Sequence, residues 1–255
     1  MKHHLILLII VLTLPFSMQG QNRVNSDGER TGVWKGYYAD STLRYEATFR
    51  NGKPVGLMKR YDDKGRLSAT MDFYTEQNRC FVKMYSNNGI IRAKGVYNDQ
   101  KKDSVWLYLG ADGKVRLEEV YSMGRLNGVS RSYYQSGNLS RKIRYSDGVK
   151  DGSWIQLFES GDTMLITHYK DGMMHGSYEA FYPDGTLQIS GSYHRDFKDG
   201  DWKYFSEERD TLTVLRYDRG KLLNPEVLKE SYESFIERIE ENVGNIPDPA
   251  LDGYK

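Results

Sequence analysis

One cysteine and six prolines in 255 residues set the first limits on this chain. Cys80 has no second cysteine to pair with, so no internal disulfide can staple the fold. No apolar stretch, the run near the N-terminus included, approaches the roughly 20 residues that a spanning helix needs. An excess of charge of one sign is missing too. Lysine and arginine total 36 against 35 acids, and the first twenty residues hold one lysine and no acid, so the remainder balances. A protein that neutralises a row of phosphates carries a basic surplus or stripe, and the absence of either argues against nucleic acid as a partner. Aliphatic residues are modest while Tyr reaches 20 and Gly 25, which suits short aromatic strands joined by glycine turns and not a helical bundle.

Residues 1–20 have the form of an export signal: Lys2, the apolar run Leu5 to Leu14, then Pro15 and small or polar residues up to Gly20, with cleavage expected after Gly20. No cysteine stands near that point to take a lipid. The mature chain is therefore expected to be soluble, to lack a transmembrane segment, and to reside in the periplasm or outside the cell.

What the chain does have is a repeat. The pattern G-x-W-x-x-Y falls into register at Gly32, Gly56, Cys80, Ser104, Gly128, Gly152, Gly176 and Gly200, each 24 residues after the last without insertion or deletion. Positions below are counted from these leading residues, taken as zero. Position 2 holds Trp34, Met58, Val82, Trp106, Ser130, Trp154, Tyr178 and Trp202, and position 5 holds Tyr37, Tyr61, Tyr85, Leu109, Tyr133, Leu157, Phe181 and Phe205. Position 17 is aromatic in all eight copies: Phe49, Phe73, Tyr97, Tyr121, Tyr145, Tyr169, Tyr193 and Tyr217.

Turn residues recur as well. Gly65, Gly89, Gly113, Gly137, Gly161 and Gly185 form one column, and residues such as Asn88 and Asp112 before them fit a tight hairpin with positive φ. A second turn closes each unit, as in Asn51 to Gly56 and Asp147 to Gly152, so each unit is two strands and two turns. In the second strand of unit one, Leu43, Tyr45, Ala47 and Phe49 alternate with Arg44, Glu46, Thr48 and Arg50, which predicts one apolar and one wet face. The first strand resists this reading, because tryptophan and tyrosine columns three residues apart belong on opposite faces. A bulge between them would reconcile the two.

These residues resemble the bacterial variant of the MORN repeat, whose G-x-W-x-x-Y pattern, turn glycine, aromatic and closing N-G-x-x-x-G turn are matched over residues 28–224, about three quarters of the chain. Unit three departs from the pattern, with Cys80 for the leading glycine, Val82 for the tryptophan, and Glu76 and Gln100 for the turn glycines around it. The resemblance implies an all-β repeat fold: an elongated antiparallel meander of eight 24-residue hairpin units, filling 21–224, with aromatic columns stacking across neighbours. It implies no reaction. Members are labelled antitoxin-like, a role that conflicts with the export signal.

After Gly220 the pattern stops. Asn224, Pro225 and Glu226 predict a helix cap and first turn, and Leu228, Tyr232, Phe235, Ile236, Ile239 and Val243 predict an amphipathic helix over 225–244. Its expected role is to cap the array, the alternative being to dock a partner, and 245–255 is expected to be an extended tail.

No constellation for chemistry emerges. His194-Arg195-Asp196 lacks the phosphate loop and D-F-G that would make it a kinase motif, and His168 and His175 have no third ligand at metal-site spacing. The Asp-Gly pairs lack the alternating acids of calcium loops, and no serine sits in a G-x-S-x-G elbow. The expectation is a non-enzymatic scaffold or spacer that needs no cofactor and holds a protein partner. The alternative is a glycan-binding surface in which Trp34, Trp106, Trp154 and Trp202 stack on sugar rings.

Overall fold

The computed structural model describes residues 21–74 and 79–228 and, beyond them, Ile236, Glu237 and Glu240. The export segment expected at 1–20, the turn residue Glu76 and the tail expected at 245–255 lie outside these residues. Nineteen strands form one antiparallel sheet in which each strand pairs with its neighbours in sequence, except that Arg125–Leu126 and Gly128–Tyr133 both pair with Val115–Ser122 and not with each other. The order is an open meander of hairpin units, as the repeat predicts, exemplified by Lys53–Tyr61 with Leu67–Phe73.

The two turns of a unit differ in kind. Within a unit the loop has three residues. In unit two the N–H of Gly65 donates to the Asp62 carbonyl at 3.0 Å and the N–H of Asp62 to the Arg66 carbonyl at 2.9 Å. Only the third loop residue is left-handed, Gly65 at φ 74°, so the aspartates before such glycines serve another purpose. The carboxylates of Asp112 and Asp184 accept from the N–H two residues on, at 3.1 and 2.8 Å, and Asp40, which precedes Ser41, does the same at 3.0 Å. The paired positive-φ geometry expected for that column belongs to the turn between units instead, where Asn51 and Gly52 stand at 48° and 74° and Asp147 and Gly148 at 50° and 89°.

Two kinds of bulge recur along the array, one within each unit and one at every junction between units except that before unit three. Between its own strands the register slips by one residue after position 4, leaving an unpaired residue at position 12. In unit one Gly36 faces Tyr45 and Tyr37 faces Leu43, so Arg44 is the extra residue, and the same slip recurs in every unit. Where one unit meets the next, Gly56, Leu57 and Met58 together oppose Ala47. The leading residue makes this wide bulge by turning left-handed, and Ser104 does so at φ 60° without being glycine. Cys80 does not. It pairs directly with Phe73 in an unbroken ladder, so the junction before unit three has no bulge.

The bulges do not bring the tryptophan and position-5 columns together, contrary to the expected reconciliation. Trp34 faces Ala47 on the side that also carries Phe49. Tyr61 lies on the other side, where its hydroxyl donates to Glu46 at 3.1 Å, and Tyr85 meets Thr70 there at 3.3 Å. Plain alternation holds along the first strand, because the extra residue sits on the partner strand. Stacking within a column occurs at Tyr178 and Trp202 of position 2, whose rings lie 5.1 Å apart, but it is not the general arrangement. Position 17 packs on the tryptophans, edge to face for Tyr97 on Trp106 at 4.9 Å and for Tyr193 on Trp202 at 5.0 Å.

The C-terminal helix departs from its expected start. Pro225–Val227 makes a single 3₁₀ turn, and Leu228 after it is extended. Asn224 makes no side-chain cap there, because its carboxamide bonds the last long strand: Nδ2 donates to the Val214 carbonyl at 2.9 Å and Oδ1 accepts from the Arg216 N–H at 2.7 Å. Helical residues are described at Ile236, Glu237 and Glu240. Ile236 packs into a buried cluster with Leu165, Ala180, Ile189, Trp202, Tyr204 and Leu215, so it covers the tryptophan face of the last units.

Candidate binding surface

The tryptophan face is largely self-occupied. Trp106 and Trp202 are 0% and 2% exposed, each lying across a glycine of the preceding strand, Gly95 and Gly191. A Cβ at either glycine would fall inside contact distance of the indole. Each indole N–H donates to a backbone carbonyl, from Trp106 to Val96 at 2.9 Å and from Trp202 to Ser192 at 3.1 Å. Trp154 meets Ile143 instead of glycine, and its N–H is buried without a partner.

A cation accompanies every tryptophan, four residues ahead of it. Arg30, Lys102, Lys150 and Lys198 sit 4.9, 4.9, 5.2 and 4.6 Å from the rings of Trp34, Trp106, Trp154 and Trp202. The four units without tryptophan have Pro54, Asn78, Leu126 and Met174 at that place. The pairing is legible in the sequence once the two columns are compared, yet motif reading by type passes over it. Lys102 is held below the usual lysine range by burial, with Glu119 opposing the shift, and burial raises the Tyr108 hydroxyl. In the last unit Lys198 and Tyr204 both donate to Glu240, at 2.5 and 2.6 Å. Trp106 and Trp202 are thus enclosed by their own chain and leave no ring face for a sugar.

The opposite face is open and changes along the array. Position 1 is apolar in the first five units, Val33, Leu57, Phe81, Val105 and Val129, and polar in the last three, Ser153, Ser177 and Asp201. Val33, Leu57 and Val105 are 43%, 53% and 45% exposed. Across the strands Phe81 faces Val96 and Val105 faces Val120, which widens the stripe at its centre. At the far end Asp201 faces Arg216 and pairs with it at 3.4 Å.

Cations border the stripe. Lys59 binds Glu46 at 3.2 Å and Arg131 binds Glu118 at 2.5 Å. The Lys59 hydrogen bond holds the Glu46 carboxyl below its ordinary range. Lys83 and Lys94 face each other directly across two strands, a like-charge arrangement that costs stability, and neither has an ion pair among the described residues.

Residues weighed for chemistry do not converge. His168 Nδ1 meets Ser177 Oγ at 3.2 Å, while His175 lies against His194 at 5.0 Å and not beside His168. Among the described residues no three His, Cys, Asp or Glu side chains gather as metal ligands. Cys80 is buried, which pushes its thiol up to about 11. Surface hollows of about 310 Å³ at Gly185, Thr186, Leu187, Phe205 and Arg209, and about 220 Å³ at Ser146, Val149, Asp151 and Asp171, set no nucleophile beside a base.

These features define a β-hairpin repeat protein built as one sheet, enclosed on its tryptophan face by its own side chains and open on the other. The pattern of the MORN repeat variant matches residues 30–51, 126–147 and 174–195. Those three segments start four and two repeat lengths apart, in the same register as the tryptophan and glycine columns. The chain therefore carries repeats of the MORN variant type at those three places. No curated protein matches it. Among solved structures, a chain of the crystal structure of the GtfA/B complex bound to UDP and GlcNAc aligns at 13% identity with a TM-score of 0.22. The alignment covers 55% of this chain and 26% of that one, and at this score it carries no argument.

Proposed function

We propose that the protein is an exported, non-enzymatic scaffold or spacer that holds a protein partner along the apolar stripe of its open face. The observation that carries this reading is the position-1 column, apolar in five consecutive units on a face where alternation calls for polar residues. A sheet whose other face is already filled has no structural use for them there. Complementarity to the stripe calls for a partner with apolar side chains and an acidic border, facing Lys35, Lys83 and Lys94. Export rests on the apolar run before Gly20.

The test uses crosslinking of the mature chain in envelope extract. Leu57→Glu combined with Val105→Glu should abolish a protein crosslink that Ser177→Glu, on the polar end of the same face, retains. Equal crosslinking by both would remove the stripe as the interface. Export is tested separately by the N-terminus of the native protein, expected at Gln21; a retained Met1 would exclude it.

A further inference from the structure

The two ends of the sheet are halves of one junction. In all seven junctions between units, position 14 of one unit faces position 3 of the next: Glu46 with Lys59, Thr70 with Lys83, Lys94 with Leu107, Glu118 with Arg131, Lys142 with Ile155, Ile166 with Glu179, and Ser190 with Lys203. The same rule carried to the ends would set Val214 of one copy against Lys35 of the next. The neighbouring pair, Thr48 with Val55 inside the array, becomes Arg216 with Thr31. Adding a second copy head to tail would therefore continue the sheet in register, and because that contact is heterologous it would not close.

Both halves are already occupied, by the same device. Asn22 turns its carboxamide onto Lys35, with Nδ2 donating to the carbonyl at 3.1 Å and Oδ1 accepting the N–H at 2.8 Å. Asn224 does likewise at the other end, on the Val214 carbonyl and the Arg216 N–H. Thr31 is paired with Arg23. At the other end Tyr217 and Asp218 are paired with Leu222 and Lys221. Each asparagine bonds outward-facing backbone groups that the junction would use, Asn22 on one residue and Asn224 across two.

We propose that Asn22 and Asn224 are end stops that keep copies of this chain from joining head to tail into a continuous sheet. The test is sedimentation and light scattering of the mature chain over a concentration series. Wild type and each single alanine variant should stay at monomer mass, since every junction then meets one stopped end. Asn22→Ala with Asn224→Ala in one chain should give masses that climb with concentration without limit. A mixture of the two single variants should stop at twice the monomer mass, because each pair formed leaves only stopped ends.

Asn22→Asp with Asn224→Asp keeps both acceptors and should assemble at least tenfold more weakly than the double alanine variant, which separates loss of the stop from loss of the fold. A double alanine variant that stays monomeric with unchanged circular dichroism would overturn the proposal. So would a mixture that grows beyond the dimer, or a wild type that polymerises.

Discussion

Trp106 and Trp154 occupy the same place in their units and differ in what lies beneath them. Gly95 lets the first indole settle flat and reach a carbonyl, whereas Ile143 holds the second off and leaves its N–H buried and unbonded. Removing a satisfied buried donor costs more than removing an orphaned one. Trp106→Phe should therefore cost about 1 to 3 kcal/mol more than Trp154→Phe in denaturant unfolding, and equal costs would discount the Val96 bond. Gly95→Ala drives a methyl into a fully buried ring and should cost about 1 to 3 kcal/mol as an overpacked core position, again read from the unfolding midpoint. The tryptophan column was legible in the sequence, but its glycine partner was not. That pairing depends on which residues of adjacent units face each other, and the bulges that set this leave no mark within a single strand.

At the scale of the hairpin, the period, the turn positions and sixteen of the nineteen strands followed from the spacing of glycine and aromatic residues, the short strands Arg23–Val24, Arg125–Leu126 and Lys221–Leu222 being the additions. Where the sequence misled, a residue type had two uses. Asp before a turn glycine was assigned to paired positive φ, yet its carboxylate binds the loop backbone. Asn224 has the signature of a helix cap, yet an open strand edge offers its carboxamide two unpaired backbone groups and takes it first. The leading column shows the same ambiguity in a testable form. Ser104 and Cys80 both replace glycine, but only Ser104 adopts the left-handed conformation, where a side chain is strained. Ser104→Gly should stabilise the protein by about 0.5 to 1 kcal/mol, the relief of strain being partly offset by the flexibility of glycine in the unfolded chain. Cys80→Gly should do the opposite, because it removes a buried side chain from a regular ladder and should lower stability by about 1 to 3 kcal/mol. Thermal melts of the two variants moving in the same direction would contradict the difference in backbone at these sites.

Across the whole molecule the repeat conceals a division that no single column reveals. The tryptophan face holds two separate buried clusters, one of Cys80, Val82, Ala93 and Trp106 and one around Trp202, Tyr204 and Leu215 that includes Ile236. Between them most buried positions turn polar, Ser130, Ser132, Ser140, Arg141 and Gln156 against the apolar Ile143, with Arg141 donating to Ser132 at 3.1 Å. Sixteen repeat strands at about 4.8 Å each make a sheet on the order of 75 Å long, and small-angle scattering should show a rod. In an array of that form each unit is stabilised by its neighbours, so cooperativity is only as strong as the weakest interface along it. Hydrogen bonds among buried polar groups contribute about 1 kcal/mol each against competing water, less than the burial of aromatic rings on either side. Unfolding should therefore break at unit five into two blocks. Trp106→Ala removes the centre of the first cluster and should lower the first block by about 3 to 5 kcal/mol, while leaving amide protection in units seven and eight nearly unchanged. Trp202→Ala should do the converse, sparing units three and four. If either substitution instead lowers protection uniformly from Arg30 to Asp218, the polar middle transmits cooperativity as well as the clusters do, and the sheet unfolds as a single body.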